Sequence, residues 1–187
     1  MSRMFRMAVR NHWIDRNPAA DFDLVDAGGD EVSRDRWLTV EELQQLAVAM
    51  RTTPNYGREN ELAVWLLLAL CVRKMELLLA RWTEFDLERG VWSLHPSRTK
   101  MNQSIEIPLE APVLRWSEEI QVFSCNSEYL LPARRLIHMK GGVPRRNRFG
   151  HISPDTLTVA LRRLPLDDIE HFTVHDMRRT ARTHMAA

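Results

Sequence analysis

His175-Asp176-Met177-Arg178-Arg179-Thr180 places an imidazole and a guanidinium three residues apart, on one face of a helix. Thr173 offers a hydroxyl for the helix start, and Asp176 stands three positions later, an aspartate version of the capping box. His175 and Arg178 then fall in the first turn, where free backbone N–H groups and the helix dipole favour an anion, most readily a phosphate. Taken alone, the same six residues also describe an ordinary solvated helix face, so their weight depends on the rest of the chain.

Two further stretches supply that weight. In Leu70-Cys71-Val72-Arg73-Lys74-Met75-Glu76-Leu77, an arginine precedes a glutamate by one helical turn, close enough for the carboxylate to hold the guanidinium. The plain alternative is a surface ion pair of small value. In Arg98-Thr99-Lys100-Met101-Asn102-Gln103-Ser104-Ile105-Glu106-Ile107-Pro108-Leu109, a lysine stands at the tip of a strand-turn-strand pattern, where it would ordinarily only be solvated. Phosphoryl transfer needs positive charge and donors around the equatorial oxygens, an acid for the leaving oxygen and a nucleophile in line. Arginine suits the clamp because its planar fork pairs with two phosphate oxygens and never loses its charge. Arg73 and Arg178 each stand beside a second basic residue, Lys74 and Arg179, and spacing alone does not choose between neighbours.

The order of these segments, with an arginine first, a hairpin lysine second and a His-x-x-Arg helix third, resembles the catalytic domain of the tyrosine recombinases, the phage-integrase family. The resemblance makes the choice that spacing leaves open. The family's first arginine precedes a glutamate by three, as Arg73 precedes Glu76, and its second follows a histidine by three, as Arg178 follows His175. It implies a catalytic set of Arg73, Lys100, His175 and Arg178, with Glu76 and Asp176 in support. Lys100 would protonate the leaving 5′ oxygen. His175 would bind the phosphate or accept the nucleophile's proton, as an imidazole can near neutral pH. It implies double-stranded DNA attachment sites and other recombinase protomers as partners. No metal, ATP or other cofactor is expected, because the covalent bond to DNA keeps the energy of the cut strand. Cys71-Val72 and Met75 depart from the family pattern, which usually has small residues, often Thr-Gly, before the arginine and a glycine before the glutamate. The family's nucleophile is a tyrosine beyond the His-Arg helix. The chain has only Tyr56 and Tyr129, and neither matches it, so this polypeptide alone is expected not to form the covalent DNA intermediate.

Bulk composition, 44% hydrophobic and 27% charged, is ordinary for a soluble globular protein. The 187 residues carry a net charge of only +1, but the charges are segregated. Acidic residues crowd the stretch from Asp15 to Glu42. Residues 129–154 contain no Asp or Glu and include Arg134, Arg135, Lys140, Arg145, Arg146 and Arg148. A local basic surface steers polyanions even when net charge is near zero, although such a run is also compatible with a solvated loop. Lys74, Arg98, Arg145, Arg146, Arg148 and Arg179 are the candidate DNA-binding residues. Two cysteines, Cys71 and Cys125, make no metal pair and no disulfide framework, which fits a reducing cytoplasm. The remaining histidines show no ligand spacing, and no metal site is expected. No signal peptide is visible, and the apolar run Leu62–Val72 is too short to span a bilayer.

The expected class is mainly α with a small antiparallel sheet. Residues 2–16 read as a helix, and 1–20 resemble the last helix of a DNA-clamping core-binding domain. Residues 21–35 read as an acidic linker, and 36–187 as the catalytic domain, incomplete at its C-terminus. Within it, Thr39 and Glu42 open a helix to Met50, and a nearly all-apolar helix over 58–70 should be central. A short helix over 73–79 follows, then strands over 82–86, 90–94 and 104–109 and a helix over 112–122. Residues 130–150 read as irregular. Ser153-Pro154 should start a helix to Leu164, and the last helix begins near Thr173. Two other classes remain open on sequence: a DNA-binding remnant without catalysis, and an unrelated helical domain with scattered basic residues.

Overall fold

A computed structural model describes residues 2–20, 35–99, 102–134, 137–140, 143–146 and 150–186, with backbone alone at 2, 137–140 and 143–146. The chain divides into two compact units, Met1–Asp35 and Arg36–Ala187. In the first, α1 runs over Ser2–Arg10. It stops short of the expected Arg16 because His12 takes a left-handed φ of 57° and the Asn11 side chain closes back on the Met7 carbonyl at 3.0 Å. The expected linker at 21–35 lies, but for Asp35, outside the described residues.

The second unit is helical with a small sheet. α2 (Val40–Thr52) opens on the expected capping box, with Thr39 Oγ1 accepting from the Glu42 N–H and the Glu42 carboxylate accepting from the Thr39 N–H at 2.9 Å. α3 (Arg58–Leu70) is the central element, buried nearly all round and packed against α5 (Ala111–Ser124), α6 (Thr156–Arg162) and α7 (Val174–Ala186). Leu62, Leu66 and Leu67 of α3 are inaccessible or nearly so and join Trp92, Ile120 and Met177 in one core. Each such side chain contributes about 1.5–3 kcal/mol by leaving water. α4 (Lys74–Leu78) follows at once and adds Leu77 and Leu78 to that core.

The sheet is antiparallel in the order β1 (Phe85–Asp86), β2 (Val91–Leu94), β3 (Ile105–Pro108), with Trp92 opposite both Phe85 and Ile107. Trp92 and Leu94 face the core while Ser93 faces water, the period-two alternation of a half-buried strand. Residues 82–84, expected as strand, form a 3-10 turn instead, because the Glu84 carboxylate folds back to the Arg81 N–H at 3.3 Å. Residues 130–150, expected as irregular, contain an antiparallel pair, β4 (Ile137–Lys140) and β5 (Val143–Arg146), in the register Lys140↔Val143. α6 begins later than expected. Ser153 and Pro154 form a turn in which Thr156 N–H reaches the Ser153 carbonyl at 2.9 Å, and Asp155 occupies the cap position.

The start of this unit is fastened to α7. Leu38 N–H donates to Thr180 Oγ1 at 2.9 Å, and His184 Nε2 lies 2.9 Å from the Leu38 carbonyl oxygen. Thr180 and His184 stand one turn apart on α7, so they hold the two polar groups of a single residue.

Candidate active site

The site forms where α3 ends. Cys71 adopts a left-handed conformation (φ 51°, ψ 31°) that stops the helix, and Arg73 is extended as the cap residue of α4. Glu76 then holds Arg73 twice: Oε2 accepts from the Arg73 N–H at 2.7 Å and Oε1 from Nη1 at 2.8 Å. The carboxylate is largely buried, while the Arg73 side chain is 46% exposed. A buried carboxylate thus orients a guanidinium that still faces solvent, the arrangement an anion clamp requires.

α7 brings the second arginine. Its buried face is Val174, Asp176, Met177, Thr180 and Ala181. His175 and Arg182 are exposed and Arg178 half-exposed, and their spacing puts all three along the opposite face. The helix start differs in detail from the expected capping box. Thr173 Oγ1 donates to Asp176 Oδ2 at 2.9 Å rather than accepting from a main-chain N–H, while Thr173 N–H donates to the same oxygen at 2.8 Å. Asp176 is almost fully buried and also accepts from Arg179 Nη1 at 3.1 Å. Arg179, expected on DNA, therefore spends one donor fixing the start of the helix that carries His175 and Arg178.

The two arginine segments meet. The Cys71 thiol lies 3.7 Å from the Arg178 main-chain oxygen, and α3 packs along α7. Lys100 lies outside the described residues, as does Arg148, but the residues at the base of the lysine loop are clear. Arg98 donates to the Glu84 carboxylate and to the main-chain oxygen of Glu76. Its side chain is only 17% exposed, so Arg98, a candidate DNA contact on sequence, is engaged inside the protein. Lys74 is half-exposed at the first position of α4, and Arg145 and Arg146 lie on β5, opposite His138 and Ile137. Glu84 and Cys71 take part in holding the site together and carried no signal in the sequence, because their partners are distant along the chain.

Tyr56 and Tyr129 are held in different surroundings. The Tyr56 hydroxyl is buried with no hydrogen-bond partner, and burial, aided by the nearby Glu61 charge, raises its pKa. The Tyr129 ring packs edge-on to His151, with the Arg81 guanidinium 5.2 Å from its centre. Among the described residues, no cluster of three His, Cys, Asp or Glu side chains could hold a metal, and no helix is long and apolar enough to cross a membrane.

Comparison with known proteins gives the lineage. The integrase of Enterobacteria phage P4 is 27% identical over 146 residues, covering 71% of this chain and 32% of that protein. The prophage integrase IntA of Escherichia coli K12 is 32% identical over 94 residues, covering 50% of this chain and 22% of that protein. The chain thus spans no more than a third of the length of these curated relatives. The fold matches the Tn1549 transposon integrase in complex with a circular intermediate DNA, with a TM-score of 0.66 at 18% identity over 99% of this chain and 63% of that one. It also matches a lambda integrase dimer bound to a COC′ core site, with a TM-score of 0.62 at 18% identity over 96% of this chain and 48% of that one. The model of the phage integrase family matches residues 36–187, the unit that holds Arg73, His175 and Arg178, and the chain belongs to that family, the tyrosine recombinases.

Proposed function

We propose that residues 36–187 act in site-specific recombination or integration of double-stranded DNA, by activating a phosphodiester for attack by a tyrosine other than Tyr56 and Tyr129. Arg73 and Arg178 bind the scissile phosphate, and their charge stabilises the transition state. His175 donates to a phosphate oxygen or takes the nucleophile's proton, and Lys100 protonates the leaving 5′ oxygen. Glu76 and Asp176 hold the two arginine segments. The observation that carries the proposal is the meeting of the Arg73 turn with the second turn of α7 through Cys71 and Arg178. Tn1549 and lambda integrases, which share the fold, have been solved on DNA, and lambda integrase also as a tetramer on a Holliday junction. By analogy, DNA and further protomers are the partners proposed here.

By itself the chain binds DNA without cutting it. The position of the Tyr56 hydroxyl favours this: a buried, unpartnered phenol with a raised pKa is a poor nucleophile. The test is a labelled nicked duplex incubated with the chain, then run on native and denaturing gels. Salt-sensitive binding without a covalent adduct is expected. Absence of binding at low salt overturns the DNA role, and an adduct overturns the assignment of the nucleophile outside these two tyrosines.

A further inference from the structure

Arg36, Trp37 and Leu38 open the second unit and hold the stretch that carries His175 and Arg178. The Arg36 side chain is only 9% exposed. Its fork meets the Glu42 carboxylate twice, Nη1 to Oε2 at 3.0 Å and Nη2 to Oε1 at 2.5 Å, which anchors it to the start of α2. Nη2 also donates to the Glu170 main-chain oxygen at 3.2 Å, and Nε lies 3.7 Å from the Glu170 carboxylate. The bond to Glu42 holds the Arg36 pKa above its ordinary value despite burial, and the charges of Glu170 and Asp176 act in the same direction. Two residues on, the Leu38 N–H donates to Thr180 Oγ1. Thr180 is fully buried and donates in turn to the Asp176 main-chain oxygen at 2.8 Å. The Trp37 ring meets His184 edge-on at 5.5 Å, one turn farther along α7.

These holds fall on both sides of the site. Glu170 precedes α7, Thr180 stands in its second turn, and His175 and Arg178 lie between them in the chain. We infer that Arg36 and Thr180 are positioning residues for His175 and Arg178. Over its first two turns α7 moves as one body, so turning it or sliding it along α3 must break the hold on Glu170 or the hold on Thr180. A guanidinium at the end of a long side chain magnifies any such turn, and about 1 Å of misplacement is enough to spoil a clamp. Arg36 and Thr180 are both turned into the protein, so neither is free to meet DNA. The inference rests on the proposed phosphate contact of Arg178 and extends it to two residues that act only through α7.

The test reads the slope of log affinity against log salt for a short mixed-sequence DNA duplex, using the full chain and variants whose far-UV spectra match the parent. Each phosphate neutralised contributes about 0.9 to that slope. Arg178→Ala is the reference and lowers it by about 0.9. Arg36→Lys keeps the charge but not the planar fork that spans Glu42 and Glu170, and it lowers the slope by most of the same amount. Thr180→Val keeps the shape, loses the hydroxyl and has the same effect, while Thr180→Ser keeps the parent slope. Arg36→Lys combined with Arg178→Ala falls no further than Arg178→Ala alone, because both remove one contact. A replacement that only loosens the fold leaves the slope of the folded protein where it was. Thr180→Val and Thr180→Ser carry the test if Arg36→Lys fails to fold. A parent slope in Arg36→Lys or in Thr180→Val, with Arg178→Ala lowered, overturns the positioning role of that residue and leaves the phosphate contact standing. An unchanged slope in Arg178→Ala contradicts the contact itself, and the inference falls with it.

Discussion

The Cys71 thiol lies 3.7 Å from the main-chain oxygen of Arg178, across 107 positions of sequence. That contact joins the turn preceding Arg73 to the helix carrying His175 and Arg178. Cys71 also sits in the left-handed region at φ 51°, where a Cβ costs roughly 1–2 kcal/mol. A β-branched side chain there is worse, because it crowds its own backbone as well as α7. Cys71→Val is expected to lose about 2 kcal/mol of stability, whereas Cys71→Gly, which relieves the backbone, should stay within about 1 kcal/mol of the parent. Urea unfolding at neutral pH measures both. Equal losses would remove the conformational explanation.

Arg73 and Glu76 are expected to respond differently to replacement. Arg73 is proposed to touch phosphate, so Arg73→Ala should lower the slope of log affinity for DNA against log salt by about 0.9. The Glu76 carboxylate accepts from the Arg73 N–H and from Arg73 Nη1. Glu76→Gln should weaken DNA binding with the salt slope kept, and cost about 1–2 kcal/mol of stability through the lost charge-assisted bonds. A salt series of binding isotherms on the two variants decides this. A slope unchanged by Arg73→Ala would take that residue off the phosphate.

Much of this framework is legible in the sequence where partners are close in the chain. The capping box of α2, the span of α3 and the reach from Arg73 to Glu76 all follow from spacings of three or four residues. The β4–β5 pair escapes because Val143-Pro144-Arg145-Arg146 carries a proline and two charges in place of apolar alternation, although Ile137-His138-Met139-Lys140 does alternate. The engagement of Arg98 escapes because Glu84 lies 14 positions away and nothing in the spacing links them. The grip of Leu38 on Thr180 spans 142 positions and is a property of packing alone.

Arg58 gives the fold a pH dependence with a defined sign. It pairs with Glu61 at 2.7 Å and Glu119 at 2.7 Å, linking α3 to α5. The hydrogen bond from Arg58 holds Glu119 below its ordinary value of 4.5. Burial pushes Glu61 upward, but the bonds from Arg58, Trp65 and Arg51 outweigh it and the net shift is also downward. Carboxylates with lowered folded values add stability that is present above pH 4.5 and lost as pH falls through those values. Arg58→Ala should therefore cost about 2 kcal/mol at neutral pH, with the partly exposed Glu119 side contributing the smaller part. It should also flatten the loss of stability below pH 4.5. Denaturant unfolding across that range tests it, and a steeper acid limb in the variant would contradict the sign.

Tyr56 offers a replacement that should do no harm. Its hydroxyl is buried and makes no hydrogen bond, so it carries a desolvation cost without compensation. Tyr56→Phe should leave stability unchanged or raise it by up to about 1 kcal/mol, with DNA affinity unaltered. A loss of DNA binding on this change would give the phenol a role that its burial argues against.

The most direct measurement is magnetic resonance of the isotope-labelled chain titrated with a short DNA duplex. Signals from 71–76 and 173–179 should change most, including the side chains of Arg73, His175 and Arg178, and the combined Arg73→Ala and Arg178→Ala variant should lose those changes. Changes concentrated on α5 or around Tyr56, with 71–76 and 173–179 silent, would contradict a phosphate site at the junction of α3, α4 and α7.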